Sequence, residues 1–365
     1  MAFVTFLKLS HFRSHRRAAL TLDGRPIVVH GQNGAGKTNL IEAVSLLSPG
    51  RGLRNAPTED MFYRPDTIGW KIRADLAGPD INHEVELNAE PAHPRTTRLN
   101  GKAATRTALA QHLRLVWLVP SQDRLWIEGA EGRRRFLDRI TMSFCPNHAE
   151  FVVTYEKAMR NRNKLLKDQV DDPRWYNALE VRMAQAGVAI TQNRLLAIDR
   201  LTAGQSKAAT AFPTAGLTLD SDVAQNADDL AQALAESRPR DRTAGRSLVG
   251  PHRADLHAIY IEKNVPARQC STGEQKALLL SLILANVRAL RAETGGAPVV
   301  LLDEVAAHLD TDRRAALFDE ICALECQAWM TGTEVDLFGP LGPRAQYVEV
   351  RQNAGESIVT EHPTP

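Results

Sequence analysis

Gly31-Gln32-Asn33-Gly34-Ala35-Gly36-Lys37-Thr38 fits the pattern GxxxxGK[ST] without a gap. Its glycines let the backbone curl until several N–H groups face one anionic centre. Lys37 adds an ammonium that can reach the β and γ phosphates of a nucleotide, and the Thr38 hydroxyl can ligate Mg2+. Asn39, the next residue, belongs to the same set of candidate nucleotide contacts. Far along the chain, Val299-Val300-Leu301-Leu302-Asp303-Glu304 sets two carboxylates at the end of an apolar run. That is the edge at which an open α/β sheet keeps its ligands. Asp303 is placed to hold Mg2+ through its water shell. Glu304, turned the other way by strand alternation, is the candidate to polarise an attacking water. The two motifs together predict a site for ATP with Mg2+, with Lys37, Asp303 and Glu304 as its catalytic residues.

A third motif is Gln269-Cys270-Ser271-Thr272-Gly273-Glu274-Gln275-Lys276. Ser271 fits a helix N-cap and Glu274, three residues on, completes a capping box, which explains the motif structurally by itself. The functional alternative is a second anion-binding helix start at Ser271 and Gly273. One chain has one phosphate loop, so this second start would face the γ phosphate held by the loop of another copy.

The elements needed to position these residues are legible. Pro26–His30 reads as a strand and Thr38–Leu47 as a helix stopped by Pro49-Gly50, so the loop lies between strand and helix as its chemistry requires. Residues 3–9 and 17–30 suggest strands, with Asp23-Gly24 as a turn between two of them. Residues 68–76, 83–89 and 113–119 suggest a mostly antiparallel β region after the first helix. From about 131 to 205 the pattern is helical, and 224–237 adds another helix. Later come a strand at 254–261, a long helix at 273–291, a strand at 298–302, a helix at 311–324 and a strand at 327–331. Such alternation implies a largely parallel sheet covered by helices. The expected division is 1–120, the first part of an α/β head with its β region; 121–245, an inserted helical lobe; and 246–365, the rest of the head.

The order STGEQ, then VVLLDE, then His308-Leu309-Asp310 resembles the signature, Walker B and D-loop of the ABC-type ATPases, with Cys270 where that family usually has leucine. The opening Phe6-Leu7-Lys8-Leu9-Ser10-His11-Phe12-Arg13 is similar to the first strand of the SMC/RecN/RecF branch. Three further stretches resemble the RecF family: Glu128–Asp138, Tyr155–Leu166 and Gly250–Leu256. The likeness runs from about residue 3 to residue 350, and the last fifteen residues are not distinctive. It implies an ABC-type ATPase head whose two nucleotides are sandwiched in an ATP-dependent homodimer, with Ser271, Gly273, Glu274 and Asp310 acting across the interface. It further implies that Arg13 approaches the phosphates and that Gln122, in Pro120-Ser121-Gln122-Asp123, is the nearest candidate for a Mg2+-sensing glutamine. The switch histidine of transporters is absent, with Thr331 or Thr333 in that region, so hydrolysis is expected to be slow. The family implies a recombination mediator acting on duplex or gapped DNA with RecR/RecO-type partner proteins.

The 365 residues suffice for a head with an inserted lobe, and a net charge of +2 confines any nucleic-acid attraction to local patches. Two such patches stand out: Arg133, Arg134, Arg135 and Arg139, and Arg160, Arg162, Lys164 and Lys167. Each is either a phosphate-contacting stripe or a solvated helix face. No base-reading motif accompanies them, so binding is expected to be independent of sequence. The four cysteines lack metal-site spacing and are expected as free thiols. No signal peptide or membrane-length apolar run is visible, so a cytoplasmic, nucleoid-associated protein is expected. The competing functions are a chromosome-organising head, which wants a far longer heptad insertion; a transporter ATPase, which wants a membrane partner; and a nucleotide-gated module without turnover, against which Glu304 argues.

Overall fold

A computed structural model describes residues 2–66, 68–78, 82–206, 210–305 and 309–362. Its centre is a six-stranded sheet in the order β15 (Glu356–His362), β14 (Gln346–Asn353), β3 (Ile27–His30), β13 (Ala328–Gly332), β12 (Val299–Leu302), β8 (Leu115–Leu118). All its pairings are parallel except the β14–β15 hairpin. β3, β13, β12 and β8 are apolar at nearly every position because both faces are covered. Val28, Val116, Leu118, Val300, Leu302 and Met330 enter one core, shared with helix α7 (Thr272–Thr294) and helix α8 (Thr311–Ala323). Their alternates Ile27, Val29, Leu115, Trp117, Val299, Leu301 and Trp329 enter a second core, shared with helix α1 (Lys37–Ser45) and an antiparallel sheet.

That antiparallel sheet runs β2 (His15–Thr21), β1 (Phe3–Phe12), β4 (Trp70–Ala77), β5 (His83–Ala89), β6 (Thr96–Leu99), β7 (Lys102–Ala103). One sequence expectation changes here. The 113–119 run is not part of the antiparallel region: β8 is the edge of the parallel sheet, paired with β12 in register Leu118↔Leu302. Asp23-Gly24 does turn the chain between two strands, β2 and β3, which lie in different sheets. Strands β6 and β7 escaped notice because Thr-Thr-Arg-Leu and Lys-Ala are too short to show a period.

A short helix, α2 (Leu109–His112), lies just before β8; the helical stretch contains α3 (Ala130–Phe144), α4 (His148–Lys167), α5 (Pro173–Ser206) and α6 (Ala227–Ala244). It also contains an unforeseen strand, β9 (Ala215–Asp220), which pairs with β10 (Asp255–Tyr260) and so crosses the expected boundary at 245; β10 pairs on with β11 (Val265–Pro266). Helices α4, α5 and α6 share a small core around Tyr155, Met183 and Leu234.

The arginine patches largely dissolve in this packing. Arg162 is fully buried, donating to Glu180 Oε1 (2.9 Å), Asp241 Oδ2 (2.6 Å), Ser247 Oγ (2.9 Å) and the Leu234 carbonyl (2.8 Å). Arg133 forms a two-pronged pair with Asp255 (2.7 and 2.8 Å). Arg139 is buried against Ser48 and Pro49. These three are neither phosphate contacts nor a solvated face; Asp241, 79 residues from Arg162, and Asp255, 122 residues from Arg133, claim two of them. Only Arg160, Lys164, Lys167 and Arg135 remain exposed.

Removing Arg162 leaves Asp241 buried without a cation and Glu180 with Arg238 alone. Arg162→Ala is therefore expected to lower unfolding stability by about 3–5 kcal/mol, measured by urea denaturation. A loss below about 1 kcal/mol would show that the network is not what joins α4, α5 and α6.

Candidate nucleotide-binding site

β3 ends at the phosphate loop and α1 begins at Lys37, with Gly36 at its N-cap in a left-handed conformation (φ 108°). Gly31 has φ 145°, and a Cβ there would sit 2.1 Å from the Val350 carbonyl oxygen. At Gly36 it would sit 2.3 Å from Ser357 Oγ. Gly34 faces open space, and Gln32, Asn33 and Gly34 are exposed while Ala35 is buried. The loop thus rests its underside on the β14–β15 hairpin and turns its tip outward.

Several clasping residues were not singled out from sequence. Ser357 Oγ bonds the Ala35 carbonyl and lies 2.6 Å from Ser14 Oγ, and Ser357 N–H donates to the Ser14 carbonyl (2.8 Å). Asn39 Nδ2 donates to Ser14 Oγ (2.7 Å). His15 Nε2 meets the Gly36 carbonyl at 3.1 Å; burial lowers the ring's pKa, so the ring is the neutral donor there. The terminal stretch judged indistinct thus supplies Ser357, a common residue type with no local signal.

Lys37 is buried, its ammonium donating to the carbonyls of Gly31 (2.7 Å) and Gln32 (2.9 Å). Burial lowers its pKa, while the charges of Glu304 and Asp303 pull it back up. Asp303 Oδ1 accepts from the hydroxyls of Thr331 (2.7 Å) and Thr38 (3.1 Å). Desolvation raises its pKa; the two hydroxyl bonds oppose that. Thr331 is itself buried, and its oxygen accepts the Glu304 N–H (2.9 Å). Glu304 lies beyond β12 with φ 53°, so strand alternation has ended before it. Its charge favours the ionised form of Lys37 and disfavours that of Asp303.

The donors suit Mg2+. Hard oxygen donors are what that ion takes, and the Thr38 hydroxyl and the Asp303 carboxylate lie side by side, 3.1 Å apart. A cation there would also relieve the desolvated Asp303. Among the described residues no cluster of three or more His, Cys, Asp or Glu could hold a metal by itself.

The remaining candidates are placed differently. Arg13 is committed to Glu42 (2.9 and 2.7 Å) and the Asp60 carbonyl (2.6 Å), beside α1. Gln122 lies at the same sheet end as Asp303, but its Oε1 accepts the Val119 N–H (3.0 Å). Its neighbour Asp123 pairs with the buried Lys276 of α7 (3.3 Å), an unexpected link. Ser271 caps α7 in the anticipated box: Glu274 Oε2 accepts from Ser271 N (2.8 Å), and Oε1 takes Lys263. Those bonds, Lys263 first, hold the Glu274 carboxyl down at about 2. Gly273 is exposed and a Cβ there would meet nothing within 4 Å. Among the described residues no hydrogen bond or ion pair joins Ser271–Glu274 to the chain's own phosphate loop. Asp310 caps α8 through the Arg313 N–H (2.8 Å), and His308 lies outside the described residues.

The family model for the RecF/RecN/SMC N-terminal domain matches residues 3–338. "DNA replication and repair protein RecF" from Rhizobium rhizogenes is 47% identical over 363 residues, covering 95% of this chain and 96% of its own. The chain belongs to the RecF family. The RecF protein of Rhizobium meliloti is 44% identical over 95% of this chain and 97% of its own. A solved structure of the recombination mediator RecF with ATP, in the RecFOR pathway, has the same fold, with a TM-score of 0.82, 22% identity and 99% coverage of both chains. The Smc head of Pyrococcus furiosus shares it more loosely, with a TM-score of 0.59, 18% identity and coverage of 99% of this chain and 96% of its own. The RecF family is a DNA replication and repair family of ABC-type ATPases, and this chain has its mixed α/β head.

Thr331→Val removes a bond that favours the ionised form of Asp303. A carboxylate must lose its proton to ligate Mg2+, and activity falls as pH drops through its pKa. The acid limb of Mg2+-dependent ATP hydrolysis should therefore move to higher pH, with kcat down roughly 10–100-fold and metal-free ATP affinity unchanged. Thr331→Ser should restore both. A pH–rate profile of Thr331→Val superimposable on the wild type would refute this role.

Proposed function

We propose that this protein is an ATP-dependent recombination mediator. It binds ATP with Mg2+, pairs with a second copy face to face, engages DNA at gaps or single-strand/double-strand junctions by phosphate contacts, hydrolyses slowly, and helps RecR/RecO-type partners load recombinase. The observation that carries the reading is the convergence of Lys37, Thr38, Asp303, Thr331 and Glu304 at one sheet edge, from segments 265 residues apart. The exposed, sterically open start of α7 at Gly273 supports the second copy: it leaves backbone free for a phosphate brought from outside. The division at 1–120, 121–245 and 246–365 belongs to the same proposal, with β9 bridging the second boundary. So does a cytoplasmic, nucleoid-associated location; among the described residues no helix is long and apolar enough to cross a membrane.

In this mechanism the backbone N–H groups of Gly34–Thr38 cradle the phosphates, and Lys37 turns from the Gly31 and Gln32 carbonyls to the β and γ oxygens. Thr38 and Asp303 would hold Mg2+, which offsets charge on the transferring phosphoryl group. Glu304 accepts the proton of the attacking water. Ser271 and Gly273 of the second copy close over the γ phosphate, and Asp310 lies across the interface. Arg13, through Glu42 and α1, and Asn39, through Ser14, set the position of the loop. Gln122 would have to release the Val119 N–H to reach a bound Mg2+.

With ATP and Mg2+, light scattering should show the wild type dimerising, Ser271→Arg remaining monomeric, and Glu304→Gln forming a longer-lived dimer. Lys37→Ala should lose tight ATP binding in titration calorimetry without unfolding. If Ser271 served only as a helix cap, its replacement would cost about 0.5–2 kcal/mol of stability and leave assembly intact. A folded Ser271→Arg that dimerises normally, or a wild type that stays monomeric with ATP and DNA, would sink the composite site.

A further inference from the structure

The loop after α1, residues 48–54, gathers arginines with little acid to answer them. Arg139 of α3 enters from beneath, its Nη1 donating to Ser48 Oγ (3.0 Å) and its Nη2 to the Pro49 carbonyl (2.7 Å), with the guanidinium 3.9 Å from the Trp117 ring centre. Arg95, just before β6, is half-buried and donates from Nη2 to the Gly50 carbonyl (3.0 Å). The Nε of each is buried with no hydrogen-bond partner. Arg51 on the loop and Arg106 after β7 are exposed, and Arg106 is near enough for its charge to depress Arg95. Burial pushes Arg139 down to about 9 and Arg95 down to about 10. The carboxylate whose charge favours Arg139 is Asp138, and Asp138 is already bonded to Arg194 (2.7 and 2.9 Å) and His148 (2.9 Å).

Burying cations against carbonyls and beside one another is unfavourable unless counter-charge arrives. The exposed stripe on α4, Lys157, Arg160, Lys164 and Lys167, makes no such demand: its charges are solvated and interleaved with Glu156 and Asp168. The loop's surface therefore asks for an anion in a way that the α4 stripe does not. No exposed large hydrophobic side chain belongs to residues 48–54 among those described, so the surface offers forks for phosphates and no platform for stacking unpaired bases.

We infer that the 48–54 loop, with Arg51, Arg95 and Arg106 at its surface and Arg139 beneath, is a docking surface for the phosphate backbone of duplex DNA. The inference rests on the proposed DNA-binding function and gives it a place. The loop also abuts the nucleotide site: Arg54 donates to Asn39 Oδ1 (2.6 Å) and Glu42 Oε2 (2.9 Å), and Leu53 N–H to Ser45 Oγ (2.9 Å), all on α1. A duplex seated at Arg51 is thus held three residues from a side chain fastened to the helix that carries Lys37 and Thr38.

The test uses the full chain with ATP and Mg2+, a fluorescent blunt duplex, and anisotropy across about 50–200 mM salt. Arg51→Glu with Arg106→Glu changes two exposed residues outside the nucleotide machinery. Duplex affinity should fall roughly 10–100-fold, and the slope of log affinity against log salt should shrink by about 2, near 0.9 per lost contact. ATP affinity and the thermal midpoint should match the wild type. Lys164→Glu with Lys167→Glu should leave duplex affinity within about threefold. Wild-type affinity and slope in the first variant overturn the inference. So does a loss confined to a single-stranded probe, or a loss found only in the α4 variant. If the wild type binds no DNA at low salt, the proposed function falls and takes this inference with it.

Discussion

The nucleotide-facing edge depends on a lack of room beneath two glycines. At Gly31 and Gly36 the backbone comes so near Val350 and Ser357 that no side chain fits, and both residues take positive φ. Pressed against that floor, the loop can aim its N–H groups outward, and its carbonyls at Gly31 and Gln32 hold the Lys37 ammonium. Everything further depends on this placement: Lys37 is partly desolvated, the carboxylates of Asp303 and Glu304 feel its charge, and Thr38 comes within bonding distance of Asp303. A phosphate site made of backbone is only as rigid as what the backbone leans on.

A second layer of control sits at Thr331. One hydroxyl donates to Asp303 and accepts from Glu304 N–H. It thereby ties the Asp303 carboxylate to the turn that sends Glu304 into a left-handed backbone conformation. Such a conformation in a residue other than glycine persists only where its surroundings impose it. The end of β13, where a transporter carries its switch histidine, here performs a holding task with an uncharged side chain.

The chemistry was legible where it is local. The phosphate loop, the acidic strand end and the Ser271–Glu274 capping box are contiguous motifs whose residue types are dictated by φ, by charge or by a hydrogen bond three residues away. The parallel core showed itself because strands buried on both faces lose their polar alternation. What could not be read was set by distant partners. Arg133, Arg139 and Arg162 look like any basic helix face until Asp255, Ser48, Glu180 and Asp241 arrive through the fold. Ser14, His15 and Ser357 carry no signal in their types; they matter because β15 passes under the loop. The 113–119 run pairs in the parallel sheet and not in the antiparallel region because an apolar run does not state which neighbour it pairs with.

β3, which leads into the phosphate loop, pairs with β13 on one side and β14 on the other. Both neighbours are encoded some 300 residues later, as is Ser357. During synthesis, then, the loop emerges early, while the strands and the hairpin it leans on are made last. The floor under Gly31 and Gly36 exists only once the first strands have paired with the last.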